Sequence, residues 1–205
     1  LNVDVTNTVL TWYSASNSLG GFNNDGFIIK QSDSDEFVAD RNYVTTVKYF
    51  SIDTHTIYPP ELEFRWRDYV YNTGSSSNTI INTSRMMATL DNNAGTYRRG
   101  SIEKIRINSR PQYPTRVFQT ASIYTTNYYL PTASYYAVKD LDTNEFVIDF
   151  DTNYTQISAD SESSYFTLYM NGLEPERYYQ ILIKVNIDGE TLILDDNYYF
   201  KVING

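Results

Sequence analysis

His55, set in Asp53-Thr54-His55-Thr56, is the single histidine of the sequence, and there is no cysteine. A Ser-His-Asp relay would have to be built on that one imidazole, and no nucleophile pattern lies beside it. It reads as a hydrogen-bonding loop residue ahead of a strand. One His and no Cys cannot supply the three or four N/S ligands of a zinc site, nor a thiolate or a disulfide framework. Oxygen-ligand chemistry is better represented. Asp140-Leu141-Asp142-Thr143-Asn144 and Asp149-Phe150-Asp151-Thr152-Asn153 both spell D-x-D-x-N. A calcium loop also needs a sharp glycine turn and a late bidentate glutamate, and neither segment has that glycine. Asp and Asn dominate hairpin turns because they accept local backbone hydrogen bonds, so turns are the preferred reading. The acidic run Asp33-Ser34-Asp35-Glu36 reads in the same way as a solvated loop.

Aromatic rings are the other chemistry-bearing feature, with 20 Tyr and 10 Phe in 205 residues. Tyr124, Tyr128, Tyr129, Tyr135 and Tyr136 form one cluster that could stack on sugar rings, with Asp and Asn fixing hydroxyls. The competing reading is that tyrosine suits half-exposed strands and protein interfaces, where a ring is covered and a hydroxyl stays wet. Glycan cleavage would further require a facing carboxylate pair. Sequence cannot show that two carboxylates face each other, and no catalytic pattern is written in it, so the chain reads as non-enzymatic and without a cofactor or metal.

The elements that must carry these residues are strands. The aromatic and β-branched composition is that of a β protein, and strand-length runs recur without a sustained 3.6-residue period. The net charge of -9 argues against a nucleic-acid partner, whose phosphates are neutralised by Lys and Arg. No apolar run approaches the ~20 residues of a membrane-crossing helix. The most regular run is Leu62-Glu63-Phe64-Arg65-Trp66-Arg67, entered through Pro59-Pro60. Its two-residue alternation predicts a half-buried strand with Leu62, Phe64 and Trp66 inward. Short strands are also expected from Val3, Val5 and residues 9–13, and from residues 27–31 and 44–50. The Gly/Ser-rich residues 73–79 read as a linker. The expectation is therefore two consecutive β-sandwich units, 1–72 and 80–205, the first incomplete because the chain opens on Leu1 and reads as part of a longer polypeptide.

In the second unit, strands are expected at residues 85–90, 102–108, 116–119, 135–138, 146–150, 165–170 and 179–185, then at 192–194 and 198–202 after an Asp188-Gly189 turn. Leu173-Glu174-Pro175-Glu176-Arg177-Tyr178-Tyr179 resembles the tyrosine corner of immunoglobulin and fibronectin-III sandwiches, in which a Tyr hydroxyl returns to the backbone upstream. Tyr179 is the matching residue, with Leu173 and Pro175 structural beside it.

Gly26-Phe27-Ile28-Ile29-Lys30, the segment from Tyr49 to Pro60, and Leu62-Glu63-Phe64-Arg65-Trp66 resemble the end of a DNRLRE-type β-sandwich, a module of extracellular carbohydrate-associated proteins, and structural proteins of T4-like tailed phages of marine cyanobacteria. The likeness covers roughly residues 8–72 and, more loosely, the chain through Pro175. It implies a virion component of the neck, baseplate or fibre region, homo-oligomeric and in contact with other virion proteins. The alternative is a carbohydrate-binding module that recognises a host surface glycan.

Overall fold

The computed structural model describes residues 3–16, 21–30, 48–51, 53, 60–75, 78–81, 86–113 and 127–205. The chain divides into two compact units, Leu1–Glu61 and Leu62–Gly205.

In the first unit the stretch expected to be one or two short strands is an α-helix, α1 (Thr6–Ser16). Val9 and Trp12 of the helix, and Val5 just before it, are the half-buried apolar residues here, and their spacing of four and then three is that of one helical face. Reading Val9, Leu10, Thr11, Trp12 and Tyr13 as one contiguous β run hid this period. A local hydrogen bond favours the helix as well. Asp4 Oδ1 accepts the Thr6 N–H at 2.9 Å, satisfying an otherwise orphaned donor of the first turn. The Thr11 and Ser14 hydroxyls bond back to the carbonyls of Asn7 and Leu10 four residues before, a pattern that slightly weakens a helix rather than favouring it. Residues 27–30 are extended but in no strand, and the Trp12 and Phe27 rings meet at 4.8 Å. Most of the strand expected at 44–50 lies outside the described residues, as do His55 and residues 33–36.

The second unit is all-β, in two sheets. Its strands are β1 (Met86–Leu90), β2 (Thr96–Arg98), β3 (Ile102–Pro111), β4 (Ser134–Asp140), β5 (Phe146–Ile148), β6 (Ser158–Ala159), β7 (Ser164–Tyr169), β8 (Tyr178–Ile187) and β9 (Glu190–Ile203). One sheet has the order β1-β3-β7-β6 and the other β2-β9-β8-β4-β5. All pairs are antiparallel except β2 with β9. Alternation sets the inner faces. Ile105, Ile107 and Ser109 of β3, and Ser164, Phe166 and Leu168 of β7, point inward. From the opposite sheet Val138, Ile181, Ile183, Val185, Phe200 and Val202 complete one core. Tyr136 stacks on Phe166 between the sheets, with centroids 4.4 Å apart. Each such side chain contributes about 1.5–3 kcal/mol on burial. β4 and the middle of β8 are buried on both faces, which explains their nearly unbroken apolar sequence. Asp188 and Gly189, both at positive φ, form the two-residue turn that joins β8 to β9. The segments expected at 192–194 and 198–202 are one strand, and the strand expected at 116–119 lies outside the described residues.

The central expectation for the first unit is corrected. Leu62, Phe64 and Trp66 are 60%, 67% and 48% exposed, and residues 61–68 form no strand. Alternation defines two faces, but burial also requires a neighbouring strand and an opposing sheet, and the described residues bring neither to this segment. Nor does it close a first module. Ala159 N–H donates to the Val70 carbonyl and Asn72 N–H to the Ala159 carbonyl, each at 2.9 Å, so residues 70–72 add parallel to β6. Residues 73–79 do not link two domains either. The chain turns at Gly74, and Thr79 bridges Tyr129 while Ile80 enters the core of the same unit.

Candidate interaction surface

The exposed segment is held at its C-terminal end. Val70 N–H donates to Ser158 Oγ at 3.1 Å, and the Tyr71 hydroxyl donates to the Leu130 carbonyl at 2.8 Å. The Arg67 guanidinium lies 5.6 Å from the Tyr69 ring centre, and Trp66 meets Tyr169 edge-on at 4.8 Å. Upstream the ties are ionic and wet. Arg65 makes two hydrogen bonds to the Glu63 carboxylate, at 2.9 and 3.0 Å, and approaches Asp151 at 3.8 Å. Among the described residues no backbone–backbone hydrogen bond engages residues 61–68. The result is an exposed segment of alternating apolar and charged residues, anchored at its C-terminal end.

The other singled-out residues have structural roles. Tyr179 is buried at the start of β8, and its hydroxyl donates to the Glu174 carbonyl at 2.9 Å. Burial pushes that hydroxyl up to about 12. Leu173 is buried and Pro175 half-buried beside it. Arg177 braces the corner, donating to Asp140 and pairing with Glu174, both at 2.8 Å.

Both D-x-D-x-N segments are turns whose carboxylates are already engaged. Asp140 Oδ1 accepts the N–H groups of Asp142 and Thr143, and its Oδ2 faces Arg177. Burial would raise the Asp140 carboxyl, but these donors hold it below the usual range. Asp151 Oδ1 accepts from the N–H groups of Asn153 and Tyr154. Among the described residues no group of three or more His, Cys, Asp or Glu is placed to hold a metal ion.

A denser polar cluster than either surrounds Asp160, and the sequence did not single it out. Lys104 reaches Asp160 at 2.6 Å and Arg106 at 3.0 Å, while the N–H groups of Glu162 and Ser163 cap it. Arg106 also pairs with Glu162 at 2.7 Å. Against the upward pull of burial, this shell holds the Asp160 carboxyl well below the usual range. Asp160 sits 54 residues from Arg106, so only the β3–β7 pairing brings them together.

The tyrosine cluster is not an open groove. Tyr129, Tyr135 and Tyr136 are buried and Tyr128 half-buried, while Tyr124 lies outside the described residues. The Tyr129 hydroxyl donates to the Ser161 carbonyl, and the inward ring of Tyr136 is taken by Phe166. Burial, with the nearby Asp68 carboxylate, pushes the Tyr136 hydroxyl above its usual range. These rings serve the core. The first unit offers a shallow depression lined by Asn7, Thr8, Thr11, Trp12 and Phe22, none of them titratable. Among the described residues no helix is long and apolar enough to cross a membrane. No known protein family, curated protein or solved structure matches the chain.

Proposed function

We propose that this chain is a non-enzymatic assembly component of a virion, an immunoglobulin-like β-sandwich that works by protein–protein contact. One observation carries the reading: Leu62 and Phe64, with the half-covered Trp66, are exposed on a segment of strand-like alternation that is tethered to a well-packed sandwich. Large apolar side chains repeated on one face have a physical reason to be there if a partner covers them. The immunoglobulin-like assignment is supported by strand order. β1-β3-β7-β6 corresponds to the A-B-E-D sheet, and β9-β8-β4 with β5 to G-F-C with C′, and Tyr179 sits at the corner that precedes F. The virion setting rests on the resemblance to tailed-phage structural proteins.

The test is the mass of the purified chain by light scattering across a concentration series, run alongside an oligosaccharide-binding screen. The reading expects species heavier than the 23.7 kDa monomer and no glycan binding. A persistent monomer that binds a defined oligosaccharide tightly would contradict it in favour of a carbohydrate-binding module.

A further inference from the structure

We infer that residues 62–66 of two copies of this chain pair as antiparallel strands about a two-fold axis at Phe64. This rests on the assembly reading and names its partner as a second copy. The argument is charge complementarity written into the segment itself. Laid antiparallel on its own copy and centred on Phe64, the segment sets Glu63 opposite Arg65, Leu62 opposite Trp66 and Phe64 opposite Phe64. The next pair outward in sequence is Glu61 with Arg67, again of opposite sign. Every pair is matched, charge with countercharge on one face and apolar with aromatic on the other. These are the combinations that stabilise facing residues of adjacent strands.

Alternative partners fit less well. A parallel pairing in the same register would put Glu63 on Glu63 and Arg65 on Arg65, setting like charges face to face. A one-residue slip would put charged side chains against apolar ones. Two-fold antiparallel pairing also satisfies the rule of isologous interfaces, in which residue i meets j and j meets i.

The structure leaves room for this contact. Residues 61–68 are exposed and in no strand, and among the described residues they make no backbone–backbone hydrogen bond; the Trp66 ring is engaged, against Tyr169. The Glu63–Arg65 bridge within one copy is a solvent-exposed pair, with side chains 63% and 51% accessible, so exchanging it for the same pair across the axis costs little. The chain as a whole carries -9, which would repel a second copy, but Glu61, Glu63, Arg65 and Arg67 balance one another. The segment is a locally neutral place for two acidic chains to meet. It also continues directly into residues 70–72, which already lie along β6.

Two sets of variants of the full chain test the pairing. Because there is no cysteine, Phe64→Cys introduces a single thiol. Under mild oxidation it should form a covalent dimer, whereas Ile193→Cys, also exposed on β9, should not. Arg65→Glu should weaken dimerisation roughly tenfold or more, since both cross-strand ion pairs become repulsive. Glu63→Arg combined with Arg65→Glu rebuilds the pattern with the signs exchanged and should restore it. Circular dichroism and melting of each variant should match the parent, because these side chains are exposed. Association that Arg65→Glu leaves unchanged, or that the double variant fails to recover, overturns the two-fold pairing while the assembly reading stands. A monomer at every concentration, with no Phe64→Cys cross-link, overturns the pairing; if that monomer also binds a defined oligosaccharide, the assembly reading falls with it.

Discussion

Tyr179 holds a contact five residues back along the chain and Asp160 one 54 residues away, and each gives a direct test. Replacing Tyr179 with Phe keeps the ring against Phe200 and removes only the hydroxyl donated to the Glu174 carbonyl. A net loss of about 1 kcal/mol in urea unfolding is expected, the usual contribution of one such bond. An unchanged midpoint would mean that the corner does not secure the β7–β8 connection. Asp160 makes stability pH-dependent. Its carboxyl is depressed in the folded chain, so the stabilisation it contributes is present above the unfolded value of about 4 and is lost as pH falls through the folded value. Asp160→Asn, which removes the charge facing Lys104 and Arg106, should be less stable than the parent at neutral pH, and the gap should narrow as the solution is acidified. Thermal melts at a series of pH values read this out, and a gap that stays constant or widens on acidification would contradict the ion cluster. Of these two residues only Tyr179 was legible in the sequence, through its spacing from Leu173 and Pro175. Asp160 was not, because nothing local marks a partner 54 residues away.

At the scale of elements, legibility followed the cause of each one. β3 and β7 carry clean alternation, and β4 and β8 read as apolar runs because they are covered on both faces. The β8–β9 turn announces itself as Asp188-Gly189, two residues suited to positive φ. β2 was missed, since the three residues Thr96–Arg98 pair with Lys201, Val202 and Ile203 from the far end of the chain. α1 was missed for a different reason. The half-buried apolar residues Val5, Val9 and Trp12 have helical spacing, but β-branched and aromatic neighbours between them suggested a strand. The segment at 61–67 shows the limit of pattern reading most clearly. Alternation states that a sequence can be a strand with two unlike faces, and it leaves open whether the neighbour comes from the same chain. Leu62, Phe64 and Trp66 were therefore identifiable as a group while their burial was not. The tyrosine cluster failed in the opposite sense. Tyr129, Tyr135 and Tyr136 looked available for stacking because sequence shows composition, not which ring faces the other sheet.

The second unit has its own core from two sheets, whereas Leu62, Phe64 and Trp66 are exposed where residues 61–68 form no strand. In the proposed reading the sandwich is the support and the segment it holds out makes the contact. The account thus stands on whether residues 62–66 become a paired strand when copies meet. Hydrogen–deuterium exchange of the full chain at low and high concentration measures this directly, because backbone amides that enter a ladder are protected and those in water are not. The account predicts that amides within residues 62–67 exchange fast at high dilution and become protected as the concentration and the mass in solution rise, while β3 and β8 are protected throughout. Fast exchange of residues 62–67 at every concentration, with the mass rising all the same, would contradict it.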